Sequence, residues 1–145
     1  MLGKADILLP CAGLVLLTAI VWVRLYVVRL GEIAEKKIEP QSVRNSILGA
    51  NAFERVEAAD NFKNLFEVPV LFYALCASLA ASNHVTPLFV AGAWLFVGLR
   101  AVHSYIHCTY NLVLHRFYVY AAGTVVIFAL WAVFAFDLIA RRGIS

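Results

Sequence analysis

The stretch "FKNLFEVPVLFYAL", residues Phe62 to Leu75, decides how the chain is read. It is strongly apolar, yet Asn64 and Glu67 stand in its first half and Pro69 follows the acid by two residues. The uncharged run from Val68 to Ala81 falls short of the ~20 residues that a helix needs to cross hydrocarbon. A spanning helix must therefore draw in the Asn64–Glu67 turn, which sets a carboxylate inside the bilayer or at its edge. A charge in that place costs about 2.5 kcal/mol or more, so it calls for a partner and often marks a task. Pro69 removes one backbone donor, frees the carbonyl of Leu65 and opens the helix beside the acid.

The rest of the chain has the same solvent in view. Of 145 residues, 63% are hydrophobic and 14% charged, where a soluble domain is nearer half apolar and a quarter charged. Mean hydropathy is +0.82. The net charge of +3 comes from scattered Lys and Arg residues, which gives no nucleic-acid footprint. Cys11, Cys76 and Cys108 lie far apart in apolar surroundings without C-x-x-C spacing, the pattern of buried free thiols.

Four apolar segments can be drawn, about 7–28, 62–82, 87–107 and 117–139, within a single membrane domain covering 1–145. The first has a lysine before its apolar run, as a signal peptide does. No A-x-A-like site follows it, and the proline in "LLPC" argues against a lipoprotein box, so a retained helix is expected. "SNHVTP" and "CTYNLVLH" read as short connections, and Pro87 suits a helix start. The charged segment from Gly31 to Asp60 reads as a loop around Pro40, with "FERVEAAD" already helical. The fold expected is an all-α, up-down four-helix transmembrane bundle. Arg29, Lys36, Lys37, Arg44, Arg55, Lys63 and Arg116 fall on the loop side, against Lys4, Arg141 and Arg142 opposite. That bias predicts cytoplasmic loops and non-cytoplasmic termini.

Glu57, Asp60, Asn61, Asn64 and Glu67 recur at helical steps, and the stripe they form is expected to face the bundle interior. It can serve as interhelical glue, worth about 1 kcal/mol per bond, or as a site. In "RAVHSYIHCTYN" the same spacing aligns Arg100, His103, His107 and either Tyr110 or Asn111, with His115 and Arg116 at the mouth of the fourth helix. A pairing of Glu67 with Arg100 or the histidines is the expected compensation. A zinc or iron site from His103, His107, His115 and Glu67 is a weak reading of a lone H-x-x-x-H, and no metal is expected.

"NLFEVPVLFYAL" together with "RAVHSYIHCTYNLVLHRF" resembles the MAPEG family, membrane-associated proteins of eicosanoid and glutathione metabolism, and within it the bacterial branch. The resemblance implies a homotrimer in the membrane, of bacterial inner-membrane type. It also implies sites between subunits that activate glutathione as a thiolate for transfer to, or reduction of, a lipophilic substrate. By resemblance Asn64 and Glu67 match the N-x-x-E that contacts the tripeptide. Arg100, His103 and His107 fall on its third-helix contacts, and Arg116 near the arginine that stabilises the thiolate. Two departures stand out. Glutathione-using members carry arginines just before N-x-x-E, where this chain has "VEAADNFK" with Glu57 and Asp60. His107 also replaces a tyrosine. A non-catalytic membrane oligomer or lipid-binding module that has lost the tripeptide grip is the alternative expectation.

Overall fold

The computed structural model describes residues 3–45 and 52–142, so the middle of the predicted loop, residues 46–51, lies outside the described residues. The described elements are helical: α1 (Lys4–Lys36), a 3₁₀ turn (Pro40–Val43), α2 (Glu57–Asn64), α3 (Val68–Ala81), α4 (Pro87–Cys108) and α5 (Val113–Arg142). Counting α2 and α3 as one crossing, four helical stretches are long and apolar enough to span a membrane. At 1.5 Å per residue α3 alone reaches about 21 Å, short of the ~30 Å of hydrocarbon. With α2 the 25 residues from Glu57 to Ala81 suffice, as the short apolar run requires.

Each boundary has a local cause. Pro87 opens α4 at a position where a missing N–H costs nothing. Lys37 ends α1 in the left-handed region, φ 50°, and the Ile38 N–H donates back to the Ile33 carbonyl at 3.1 Å. Asn83 and Asn111 adopt the same conformation, φ 52° and 45°, in the two short turns, a geometry that asparagine tolerates better than most residues.

Two expected spans are longer as helices than hydropathy suggested. α1 runs on past Val28 to Lys36, and α5 begins at Val113, ahead of Phe117. The extension of α1 is fastened by Glu32, whose buried carboxylate accepts the backbone N–H groups of Glu54 at 2.8 Å and Arg55 at 3.4 Å. Lys36 bridges Glu32 and Glu54, both at 2.9 Å, Arg55 pairs with Glu35 at 3.0 Å, and the Arg29 guanidinium lies over Phe53. Those bonds hold the Glu54–Arg55 amides, so "FERVEAAD" becomes helical only from Glu57.

α4 packs on α5, α1 and α2, while α3 bridges α1 and α5. The shared core holds Leu14, Phe72, Leu79, Phe96 and Ile127, with Phe72 stacked on Phe96 at 4.8 Å. Gly92 lets α4 and α5 close up: a Cβ there would meet Leu130 Cδ2 at 2.7 Å. Outside, Leu16, Val27, Val125, Phe136 and Ile139 are exposed, a surface suited to lipid and not to water.

Candidate functional site

At the loop end, the tight turn between α4 and α5 returns the chain so that Arg116 comes back beside His103 and His107. The Arg116 Nη1–H group donates to His107 Nε2 at 2.9 Å and to Asn111 Oδ1 at 2.9 Å. The Arg116 carbonyl lies 3.2 Å from His103 Nδ1. A carbonyl only accepts, so His103 carries its proton on Nδ1 and presents a bare Nε2. His107 accepts at Nε2, so its proton sits on Nδ1. Both outer nitrogens, His103 Nε2 and His107 Nδ1, are buried without a hydrogen-bond partner among the described residues.

Above this pair Arg100, 1% exposed, has all three guanidinium nitrogens without an acceptor in hydrogen-bond geometry among the described residues. Its neighbours are ring faces, Tyr120 at 4.5 Å and Phe96 at 5.2 Å. Gly123 keeps the α5 surface low next to Arg100 Nε. Asn64, His103, Val113, Arg116, Phe117 and Tyr120 line a cavity of about 220 Å³.

The expected Glu67–Arg100 ion pair does not form, nor does Glu67 lie in the bundle interior. Leu65 to Glu67 break the helix, and Glu67 takes non-helical angles, φ −95° and ψ −106°, which turn its side chain outward. The link to Arg100 runs through Tyr120, whose ring lies beneath the guanidinium and whose hydroxyl donates to Glu67 Oε2 at 3.5 Å. Of the expected polar stripe, only Asn61 is buried. It accepts from Ser104 Oγ at 3.3 Å and donates to Cys108 Sγ at 3.5 Å, an interhelical bond of the glue kind. His115 stands apart with Tyr110 at 3.4 Å, and among the described residues no three His, Cys, Asp or Glu side chains gather as metal ligands.

The geometry thus brings Asn64, His103 and Arg116 to one cavity, with His107 and Arg100 immediately behind it and Glu67 at its outer edge. The four helices of spanning length and the two motifs fit one family. The MAPEG family model matches residues 7–136. The chain belongs to the MAPEG family. No curated protein and no solved structure matches it. Tyr120 is a member of the site that the motifs of this MAPEG chain did not single out. Its spacing of four from Arg116 was the available signal. Asn111 was one of two candidates on the third-helix face, and it is the one that holds Arg116.

Proposed function

We propose that the chain is a membrane enzyme that activates glutathione as a thiolate and transfers it to, or uses it to reduce, a lipophilic electrophile. The observation that carries the reading is the orientation of Arg116. One of its nitrogens is held by His107 and Asn111, and its side chain lines the cavity. A fixed guanidinium favours a bound thiolate over the thiol. In conjugation that sulfur forms the new bond to carbon, the leaving group departs with the bonding electrons, and the thiol proton goes to water. Arg100, without an acceptor among the described residues, suits a ligand carboxylate. His103 Nε2 suits a donor group of the peptide, and Asn64 a backbone amide.

The functional unit in this reading is a homotrimer. Ligand sites generally occupy about 300–1,000 Å³, and the cavity of one chain is smaller. A neighbouring copy would complete the wall at the exposed break bearing Phe66 and Glu67. The basic bias of the loops supports a cytoplasmic setting for this end, with the apolar substrate delivered from the lipid phase.

The test is glutathione titration of the detergent-purified protein, read by thiolate absorbance and by conjugation of an apolar aryl halide. Saturable thiolate formation that Arg116→Ala abolishes, with helicity and oligomer unchanged, is the expected result. One observation favours the non-catalytic module instead: Glu57 and Asp60 precede Asn64, and Arg55 is engaged by Glu35. Absence of any saturable glutathione binding by an intact oligomer would establish that second reading.

A further inference from the structure

Between α1 and α4, on faces that do not line the Arg116 cavity, two hollows share Arg24, Cys108 and Thr109. One, of about 250 Å³, runs toward the bilayer centre between Leu17, Ile20 and Val21 on one helix and Ala101 and Tyr105 on the other. The second, of about 230 Å³, lies at the loop end and adds Arg55 and Glu57 to its wall. Together they make a groove that is apolar along its length and charged at its mouth. From Leu17 to Arg24 it covers about 10 Å, which fits within the ~15 Å of hydrocarbon in one leaflet.

The charges at the mouth are of both signs. Arg24 is exposed and spends one donor on the Cys108 carbonyl, which leaves further N–H groups for a ligand. Arg55 is already paired with Glu35, whereas Glu57 forms no ion pair with either arginine. A ligand for this mouth therefore needs an anion for Arg24 and a cationic donor for Glu57, on an apolar chain. A headgroup with only negative charge would face Glu57 unfavourably.

We propose that the α1–α4 groove is a binding site for a phospholipid with a phosphate and a primary ammonium in its headgroup. The phosphate takes the remaining N–H groups of Arg24 and the ammonium hydrogen-bonds Glu57. One acyl chain lies between Leu17 and Tyr105. The site is separate from the glutathione cavity and does not depend on what that cavity binds.

Native mass spectrometry of the full chain tests this, with release from micelles doped with equal amounts of phosphatidylethanolamine, phosphatidylcholine and phosphatidylglycerol. The ethanolamine lipid should be retained about fivefold or more over the glycerol lipid, about 1 kcal/mol in preference. Glu57→Gln should bring the two lipids level. Arg24→Ala should remove the bound lipid. Ala101→Phe should do so as well, by filling the chain slot from an exposed position that the core does not use. Excess inorganic phosphate should leave the bound lipid in place. Equal retention of all three lipids by the unmodified chain, retention in Ala101→Phe, or displacement by phosphate would each overturn the proposal. Should Arg24→Ala fail to fold, Ala101→Phe decides alone.

Discussion

Tyr120 is the residue on which the buried Arg100 depends, and its two contacts can be separated by substitution. Its ring lies 4.5 Å from the guanidinium carbon, nearer than Phe96 at 5.2 Å, and among the described residues no oxygen meets the Arg100 nitrogens in hydrogen-bond geometry. A desolvated cation–π contact is worth about 2 kcal/mol. The hydroxyl contact to Glu67, long at 3.5 Å and on the exposed side, belongs at the bottom of the hydrogen-bond range, about 0.5 kcal/mol. Tyr120→Phe keeps the ring and should cost only that smaller amount. Tyr120→Leu removes both contacts and leaves Arg100 with one more distant ring, so it should cost about 2–3 kcal/mol. Reversible unfolding in mixed micelles, titrated with a denaturing detergent and followed by helicity, measures both variants. If Tyr120→Phe is as damaging as Tyr120→Leu, the ring is not what holds the arginine. A neutral Tyr120→Leu would mean that Arg100 finds an acceptor elsewhere.

Gly92→Ala should destabilise the protein by about 1–3 kcal/mol, because its Cβ meets Leu130 at 2.7 Å, and shortening Leu130 to Val should recover part of the loss. Gly98→Ala, on the same helix with open space around it, should instead stabilise by about 0.5–1 kcal/mol; thermal unfolding of the pair separates close approach from helix propensity. Glu32→Gln removes a charged acceptor from the Glu54 and Arg55 amides, so hydrogen exchange at Glu54 should quicken by about tenfold or more while the spans stay protected. Single cysteines at Glu39 and Arg142, in a chain lacking the three native thiols, should react with an impermeant reagent from opposite sides of the membrane. Labelling from one side would remove the four-span topology.

The four spans were legible because hydropathy reports solvent directly. The ends of the helices were not, because a helix that leaves the bilayer keeps its backbone bonds while losing its apolar residues. "GEIAEK" has few hydrophobic side chains but no proline, and α1 tolerates Gly31 and continues through it to Lys36. The misplacement of Glu67 has a sharper cause. Steps of three and four align residues only on an unbroken helix. Glu57, Asp60, Asn61 and Asn64 share α2, but Glu67 comes after the turn that Pro69 enforces, so the spacing no longer says where it points. By contrast, Arg100, His103 and His107 share α4 without interruption, and the short turn to α5 leaves Arg116 little freedom but to return to them. Tyr120 was hidden by its neighbours: an aromatic residue within an apolar run reads as a lipid contact. Only the position of Arg100 across the interface gives it another meaning.

The outward turn of Glu67 leads to one last expectation, which rests on the proposed glutathione site. Arg55 is occupied by Glu35, so the cations nearest the cavity are Arg100 and Arg116, with Glu67 at the rim. Glutathione as a thiolate carries two carboxylates, the sulfur anion and one ammonium. Arg116 answers the sulfur anion and Arg100 one of the two carboxylates, and the ammonium needs a carboxylate at the edge of the site, which Glu67 supplies and a buried, arginine-paired acid could not. Glu67→Gln should therefore raise the Kd for glutathione about tenfold, the ~1.4 kcal/mol typical of a lost charge-assisted bond. A desamino analogue of the tripeptide should bind the unmodified protein about tenfold more weakly, and the variant should not distinguish it from glutathione. If the two losses add, Glu67 acts on some other part of the ligand or only on the packing of the break. Non-additivity would instead tie that carboxylate to the ammonium, and would give a carboxylate two residues before a proline in a membrane span its reason for being there.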